Sequence, residues 1–298
     1  MEEIKTVVTH CLNFHADDVF AIAILKIIYP DLKVMRIGHQ DIESQKKADI
    51  RVDVSGRYNH ELGDYDHHQA GGAGKRENGI PYAAAGLIWK HYSYKIAGKE
   101  VQEYIDKKMI QYIDADDNGV DAYKSDIDIY TIAEFIAGMN PPMSEGSHEV
   151  FNKLFLECVE IVIKLLKSEI KRADLIFKSK ETVRKKITET NKEYIILEEN
   201  IPWREVVINE SKIKFVIRYN LLEKNWGIST VTISNDSFVN RKDLPKSWGG
   251  LTNETLQEAS GVKDAIFCHN KLFCAIAKSK EGAIKMVELA LKDKNAED

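Results

Sequence analysis

In the first 120 residues, short β-branched runs alternate with helical stretches, and this alternation leaves few ways for the chain to fold. IKTVVT (residues 4–9) stops at His10 and suits a buried strand. Asp17 and Asp18 then precede VFAIAILKII, an apolar helix whose acidic first turn suits the positive end of the helix dipole. Strands are predicted at LKVMRI (32–37) and ADIRVDVSG (48–56), and helices at about 81–97, started by Pro81, and about 101–113. In the last of these, Val101, Tyr104, Ile105, Met109 and Tyr112 have the spacing of one buried face. Alternation of this kind predicts an α/β fold around a parallel sheet with helices on both faces.

From Glu149 to about Lys186 the pattern is that of one long helix, apolar first and basic at its end. Between residues 167 and 186, eight Lys or Arg stand against three acids, which suits a solvated connecting helix or contact with a polyanion. Beyond residue 190 come strands at EYIILEE, KIKFVIRYN and WGISTVTIS. A helix near 253–260, a strand pair within 264–277 and a last helix near 279–293 follow. A chain of 298 residues exceeds one typical core. Two domains are therefore expected: residues 1–188, ending in the connecting helix, and a smaller α+β domain over 189–298.

Composition narrows the class. Hydrophobic content of 44% and charged content of 30% are those of a globular chain, with no apolar run of the length a membrane span needs. A net charge of −5 gives no general attraction to nucleic acid, so such binding needs a local patch or a bound metal. Cys11, Cys158, Cys268 and Cys274 are far apart, with no CxxC pair, which argues against a structural zinc site and a disulfide framework. The acidic MEEIKTVVTH start lacks the features of a signal or transit peptide. The expected location is the cytoplasm, with nuclear or organellar import left open.

Four segments concentrate metal-ligand residue types. They are THCLNFHADD with His10, His15, Asp17 and Asp18; VDVSG with Asp53; DHH with Asp66, His67 and His68; and DADDNG with Asp114, Asp116 and Asp117. His10 and Asp53 stand at the carboxyl ends of predicted parallel strands, the edge at which open α/β sheets bind ligands. Singly, each has a plain structural role: Asp17 or Asp18 as a helix cap, Asp53 before Ser-Gly or Asp117 before Asn-Gly as a turn residue. Together they favour a metal site. Carboxylates that can bridge two ions, joined by imidazoles, suit two divalent metals. Mn²⁺ fits this mixed set best, with Co²⁺, Fe²⁺, Zn²⁺ or Mg²⁺ as alternatives.

In this order, the segments resemble the motifs of the DHH phosphoesterase superfamily. FHADD, ADIRVDVSGRY, YDHHQ, AAAGLIW and DADDNG resemble its Myg (melanocyte-proliferating-gene) exonuclease branch. The similarity continues through IPWRE, LPKSWGGL, SGVKDAIFCH and KEGAIKM, and so spans nearly the whole chain. The resemblance implies a DHH-type catalytic domain and metal ligands at His10, His15, Asp17, Asp53, His67 and Asp114, with Asp117 as an alternative to Asp114. Asp53 would bridge both ions. His68 would contact the scissile phosphate, and Asp66 would orient a histidine. Three departures concern substrate. Ala70 follows DHHQ where the branch commonly has a basic residue, and Lys75 and Arg76 on the next glycine-rich loop could supply that charge to substrate or form a solvent loop. Gly249 follows Trp248 where relatives have Arg, and LFCAIAK lacks the glycines of the superfamily's C-terminal turn.

The activity expected from the resemblance is metal-dependent phosphodiester hydrolysis, as a 3′–5′ exonuclease on single-stranded RNA or DNA. The second domain would close over substrate, with Trp203, Trp226, Trp248, Arg204 and Arg218 as candidates for stacking or phosphate contact. Two alternatives are a small-nucleotide hydrolase acting on pAp, a dinucleotide or pyrophosphate, and a non-catalytic nucleotide binder. No membrane partner is expected, and the oligomeric state is left open.

Overall fold

In the computed structural model, which describes residues 4–293, the first sheet is built around strand β1 (Thr6–His10), whose Val7 and Val8 are fully buried. Helix α1 (Ala16–Ile28) follows, then β2 (Lys33–Ile37), α2 (Ile42–Lys47), β3 (Ile50–Val52), β4 (Tyr58–Asn59) and β5 (Asp64–Tyr65). The strands lie in the order β2-β1-β3-β5-β4, all pairs parallel except the β4–β5 edge. β3 is shorter than the predicted 48–56 run. Asp53 turns into the left-handed region at φ +52°, which ends the extended chain.

Helix α3 (Ala84–Tyr92) begins three residues beyond Pro81, which instead bridges to Lys75. Next come α4 (Lys99–Ile105), a π-helical turn at Asp106–Ile110 and α5 (Gln111–Asp117). The π turn takes up one extra residue and moves the apolar face along by one. Val101 and Ile105 are buried as expected, but Ile110 and Ile113 are then buried in place of Met109 and Tyr112. A short helix, α6 (Ile132–Ala137), starts in a reciprocal cap: Thr131 Oγ1 accepts from the Glu134 N–H, and the Glu134 carboxylate accepts from the Thr131 N–H.

Helix α7 (His148–Thr188) begins in one compact unit and ends in another, for the chain divides after Asp174. That point lies inside the helix, before the expected boundary at residue 188. The last turns of α7 carry Val183, which packs in the second unit's core with Ile195, Trp203 and Val207. The basic end of the helix is largely neutralised: Lys180 pairs with Glu205, Arg184 with Glu210 and Lys186 with Glu189.

The second unit holds β6 (Tyr194–Leu197), α8 (Arg204–Glu210), β7 (Phe215–Asn220), β8 (Asn225–Thr230), α9 (Asn253–Ser260), β9 (Ala265–Cys268), β10 (Cys274–Ala277) and α10 (Lys280–Lys292). Its sheet runs β6-β7-β8-β10-β9, with only β6 and β7 parallel. Alternate residues of β7 serve opposite faces. Phe215 and Ile217 join Met286 and Val287 of α10, while Val216 joins Val206 and Val207 of α8. All four cysteines are free, and no helix among the described residues is long and apolar enough to cross a membrane.

Candidate metal centre

Three parallel strands deliver the site at their carboxyl ends: His10 closes β1, Asp53 follows β3, and Asp66, His67 and His68 follow β5. Asp53 meets three imidazoles. Its Oδ2 is 3.5 Å from His10 Nε2, and its Oδ1 is 3.2 Å from His68 Nδ1 and 3.6 Å from His67 Nε2. His10 Nε2 also lies 3.3 Å from Asp18 Oδ2, and His67 Nε2 lies 2.8 Å from Asp117 Oδ2. Three groups bring their ligand atoms within 4.8 Å of one another: His10, His15 and Asp53; Asp53, His67 and His68; and Asp17, His67 and Asp117. Asp53 belongs to two of them and His67 to two. The arrangement can hold metal ions.

The donor atoms themselves test that fit. His10 Nε2, Asp18 Oδ2, Asp53 Oδ1 and His67 Nε2 are buried without a hydrogen-bond partner; even the short His67–Asp117 approach lacks the direction of a hydrogen bond. Buried polar atoms are nearly always partnered, so four orphans aimed at one another mark a place for a cation. Charge agrees. Burial and the nearby Asp53 carboxylate push Asp18 up to about 7. Burial and the charges of Asp117, Asp53 and Asp114 push Asp17 well above the usual carboxylate range. Burial also pushes Asp53 upward, but the neighbouring imidazoles of His68, His10 and His67 outweigh it and hold Asp53 below its ordinary value. Divalent cations would relieve this crowding of carboxylates.

Helix α3 explains why two more acids are buried. Its N-cap, Ala83, has no side chain to receive the first amides. Asp17 does so instead, accepting from the Ala84 and Ala85 N–H groups at 3.0 and 2.6 Å, and Asp114 accepts from Gly86 at 2.9 Å. The other Asp114 oxygen accepts from Arg76 Nη1 at 2.6 Å, and Arg76 also donates to both oxygens of Asp106. A Cβ at Gly86 would stand 1.8 Å from Asp114 Oδ2, so only glycine fits there. Arg76, expected to touch substrate or lie on a solvent loop, is therefore an internal partner whose side chain is 7% exposed. Lys75 is exposed and is not among the residues that line the cleft described below. Asp114 and Asp117 were both candidates for the fourth-motif ligand; Asp114 faces Arg76 and α3, while Asp117 faces His67.

Asp66, 1% exposed, accepts from the His68 Nδ1–H at 2.8 Å, the His68 amide at 3.0 Å and the Gly56 amide at 2.7 Å. These bonds fix the ring, whose side chain is 61% exposed. Asp53 and Asp66 together raise the His68 imidazole to about 9, against the effect of burial, which favours the cation at neutral pH. His67 is also raised, by Asp117 and Asp53 against burial. Burial lowers His10, against the pull of Asp53, and so favours its neutral, ligating form.

His10, Asp17, Asp53, Asp66, His68 and Asp117 line a cleft of about 910 Å³. One wall is apolar, from Ile113, Tyr123 and Ile129, and no Lys or Arg is among the lining residues. The cleft also holds His39, which lies outside the four ligand-rich segments; its ring stacks on His10 at 6.0 Å, with 6° between the planes. The signal was available, since His39 lies two residues past β2 on the same ligand-binding edge. In the sequence Asp18 reads equally as a ligand or a helix cap; its buried orphan oxygen shows only in three dimensions.

The chain is thus a mixed α/β protein with His/Asp groups that could hold a metal ion at the carboxyl edge of a parallel sheet. It belongs to the MYG1_exonuc family, described as an uncharacterised protein family (UPF0160), whose profile matches residues 6–291. The chain is 31% identical to the MYG1 protein of Dictyostelium discoideum, over 94% of each chain. It is 28% identical to a MYG1 protein of Saccharomyces cerevisiae, over 96% of each. To the MYG1 exonuclease of Rattus norvegicus it is 26% identical, over 97% of this chain and 85% of that one.

Proposed function

We propose that the protein is a metal-dependent phosphoesterase of the DHH type that hydrolyses phosphodiester bonds, working as a 3′–5′ exonuclease on single-stranded RNA or DNA. The observation that carries this reading is the convergence of four buried, unpartnered donor atoms beneath an exposed histidine. The name of the rat relative, an exonuclease, supports it. His10, His15, Asp17, Asp53, His67 and Asp117 would hold two divalent ions, Mn²⁺ best suiting the donors, with Asp18 within reach of His10. Such ions supply a nucleophilic oxygen at neutral pH and neutralise a phosphate. Asp53, which belongs to two of the ligand groups, would contribute to both ions. His68, cationic and fixed by Asp66, donates to a non-bridging phosphoryl oxygen as charge gathers there. The apolar wall takes the sugar or base and excludes water from one side of the phosphate.

The absence of Lys and Arg from the cleft lining favours a second reading, a small-nucleotide hydrolase, because the first unit's cleft offers no track for a polyanionic strand. Purified protein with Mn²⁺ separates the two. Stepwise shortening of an end-labelled 20-mer, abolished by EDTA and by Asp53→Asn, supports the exonuclease. Hydrolysis of pAp or dinucleotides with the 20-mer untouched supports the second reading and sinks the first. No hydrolysis of either, with Mn²⁺ bound, returns the chain to a nucleotide binder.

A further inference from the structure

In the second unit Arg204 and Arg218 have no acid among the described residues; Arg241, also without one, instead donates to the backbone carbonyls of Ile208, Ser211 and Ile213. Arg218, on β7, donates from Nη1 to Asn200 Oδ1 at 2.6 Å and from Nη2 to Ser229 Oγ at 3.0 Å, while its Nε is buried with no partner. Arg204, at the start of α8, is exposed. Both guanidiniums lie against the Trp203 ring, 5.8 and 5.1 Å from its centroid. Among the described residues neither is in an ion pair, whereas Lys180, Arg184, Lys214 and Lys280 of the same unit each have an acid. Burial and the Arg204 charge pull the Arg218 guanidinium below its usual range. A half-buried charge with a like charge beside it and no counter-charge is costly, and chains retain such groups where an anion arrives from outside.

We propose that Arg218 and Arg204 form an oxyanion site in the second unit that takes the phosphate group of a nucleotide. Arg218 Nε supplies the inner donor and Arg204 closes the site from solvent. Ser229 Oγ, already accepting from Arg218, keeps its proton free to donate. The Arg218 Nε–H, the Arg204 fork and the Ser229 hydroxyl exceed what a carboxylate's two oxygens need and suit the three peripheral oxygens of a phosphate. Of the aromatic candidates, Trp248 is 3% exposed and Trp203 is 4% exposed, so Trp203 is the platform on which the charges rest and cannot itself stack a base. The site rests on the expectation that the second domain holds substrate; all its residues lie in the second unit and none belongs to the metal-ligand groups.

The test uses the full chain with EDTA present, so that neither hydrolysis nor metal binding contributes. Binding of inorganic phosphate and of AMP is followed by calorimetry and by the shift in Tm. Saturable binding of either probe is expected, weakened at least tenfold in Arg218→Met and severalfold in Arg204→Gln. Equal affinity for the two probes supports a site that reads the phosphate alone; tighter AMP supports one that also holds the nucleoside. Arg218→Met should also raise Tm in phosphate-free buffer and lose the phosphate-dependent rise. If that variant fails to fold, the exposed Arg204→Gln decides: unchanged affinity in it overturns the site. So does the lack of saturable binding to wild type at millimolar phosphate and AMP.

Discussion

Asp53 occupies φ +52°, a region where Asp and Asn are tolerated and β-branched residues are not. Asp53→Asn therefore preserves the backbone and removes the charge that faces His10, His67 and His68. The expected variant is folded and shows no Mn²⁺-dependent rise in Tm; a rise equal to wild type would remove Asp53 from the ligand set. Asp114 and Asp117 can be separated in the same way. Asp117→Asn should weaken Mn²⁺ binding by calorimetry. Asp114→Asn should leave that affinity within a few-fold and lower stability by about 1–3 kcal/mol, because it disturbs the buried bonds to Arg76 and Gly86. The reverse pattern would make Asp114 the ligand. Asp66→Asn, which loses the charge that fixes the His68 ring, should reduce kcat by about 10–100-fold with Mn²⁺ affinity nearly intact.

Helix α3 is the element on which scaffold and site depend together. Gly86→Ala drives a methyl into Asp114 and Arg76, and denaturant unfolding should show a loss of about 1–3 kcal/mol. Arg76→Met leaves Asp114 buried without its cation, for an expected loss of about 3–5 kcal/mol; a loss below half of that would mean that water reaches the pair. At this scale the sequence was legible in proportion to how local each signal was. β1, α1, β2 and α10 follow from runs whose period is visible in their own residues. The π turn was not legible, because one inserted residue breaks the period from which a helix face is read; Tyr112 was thus placed inward and Ile113 was missed. The same holds within the site. His10, Asp53 and His67 stand where strands end, whereas the choice between Asp114 and Asp117 depends on Arg76, 38 residues away from Asp114 in sequence.

For the whole molecule, metal and proton are the two variables that set stability. Mn²⁺ at about 100 times its dissociation constant should stabilise the folded chain by about 2.7 kcal/mol, visible as an increase in Tm of several degrees that EDTA reverses. His91 gives a separate dependence on pH. Its Nε2 meets the Tyr58 hydroxyl at 2.5 Å and its ring stacks on His60 at 3.8 Å; burial, with the charges of His60 and Lys90, pulls it down to about 4. An unfolded chain binds this proton near the ordinary value of 6.5, so acidification from there toward about 4 favours unfolding. The Tm of wild type should fall relative to His91→Gln across that window, and parallel curves would show that His91 is solvated. The borrowed cap of α3 has a further consequence, for the path by which the chain folds. A helix with no start signal of its own pays the full cost of nucleation until Asp17, 67 residues upstream of Ala84, has arrived. The first turn of α3 is thus where the first motif, through Asp17, and the fourth, through Asp114, are held to one element.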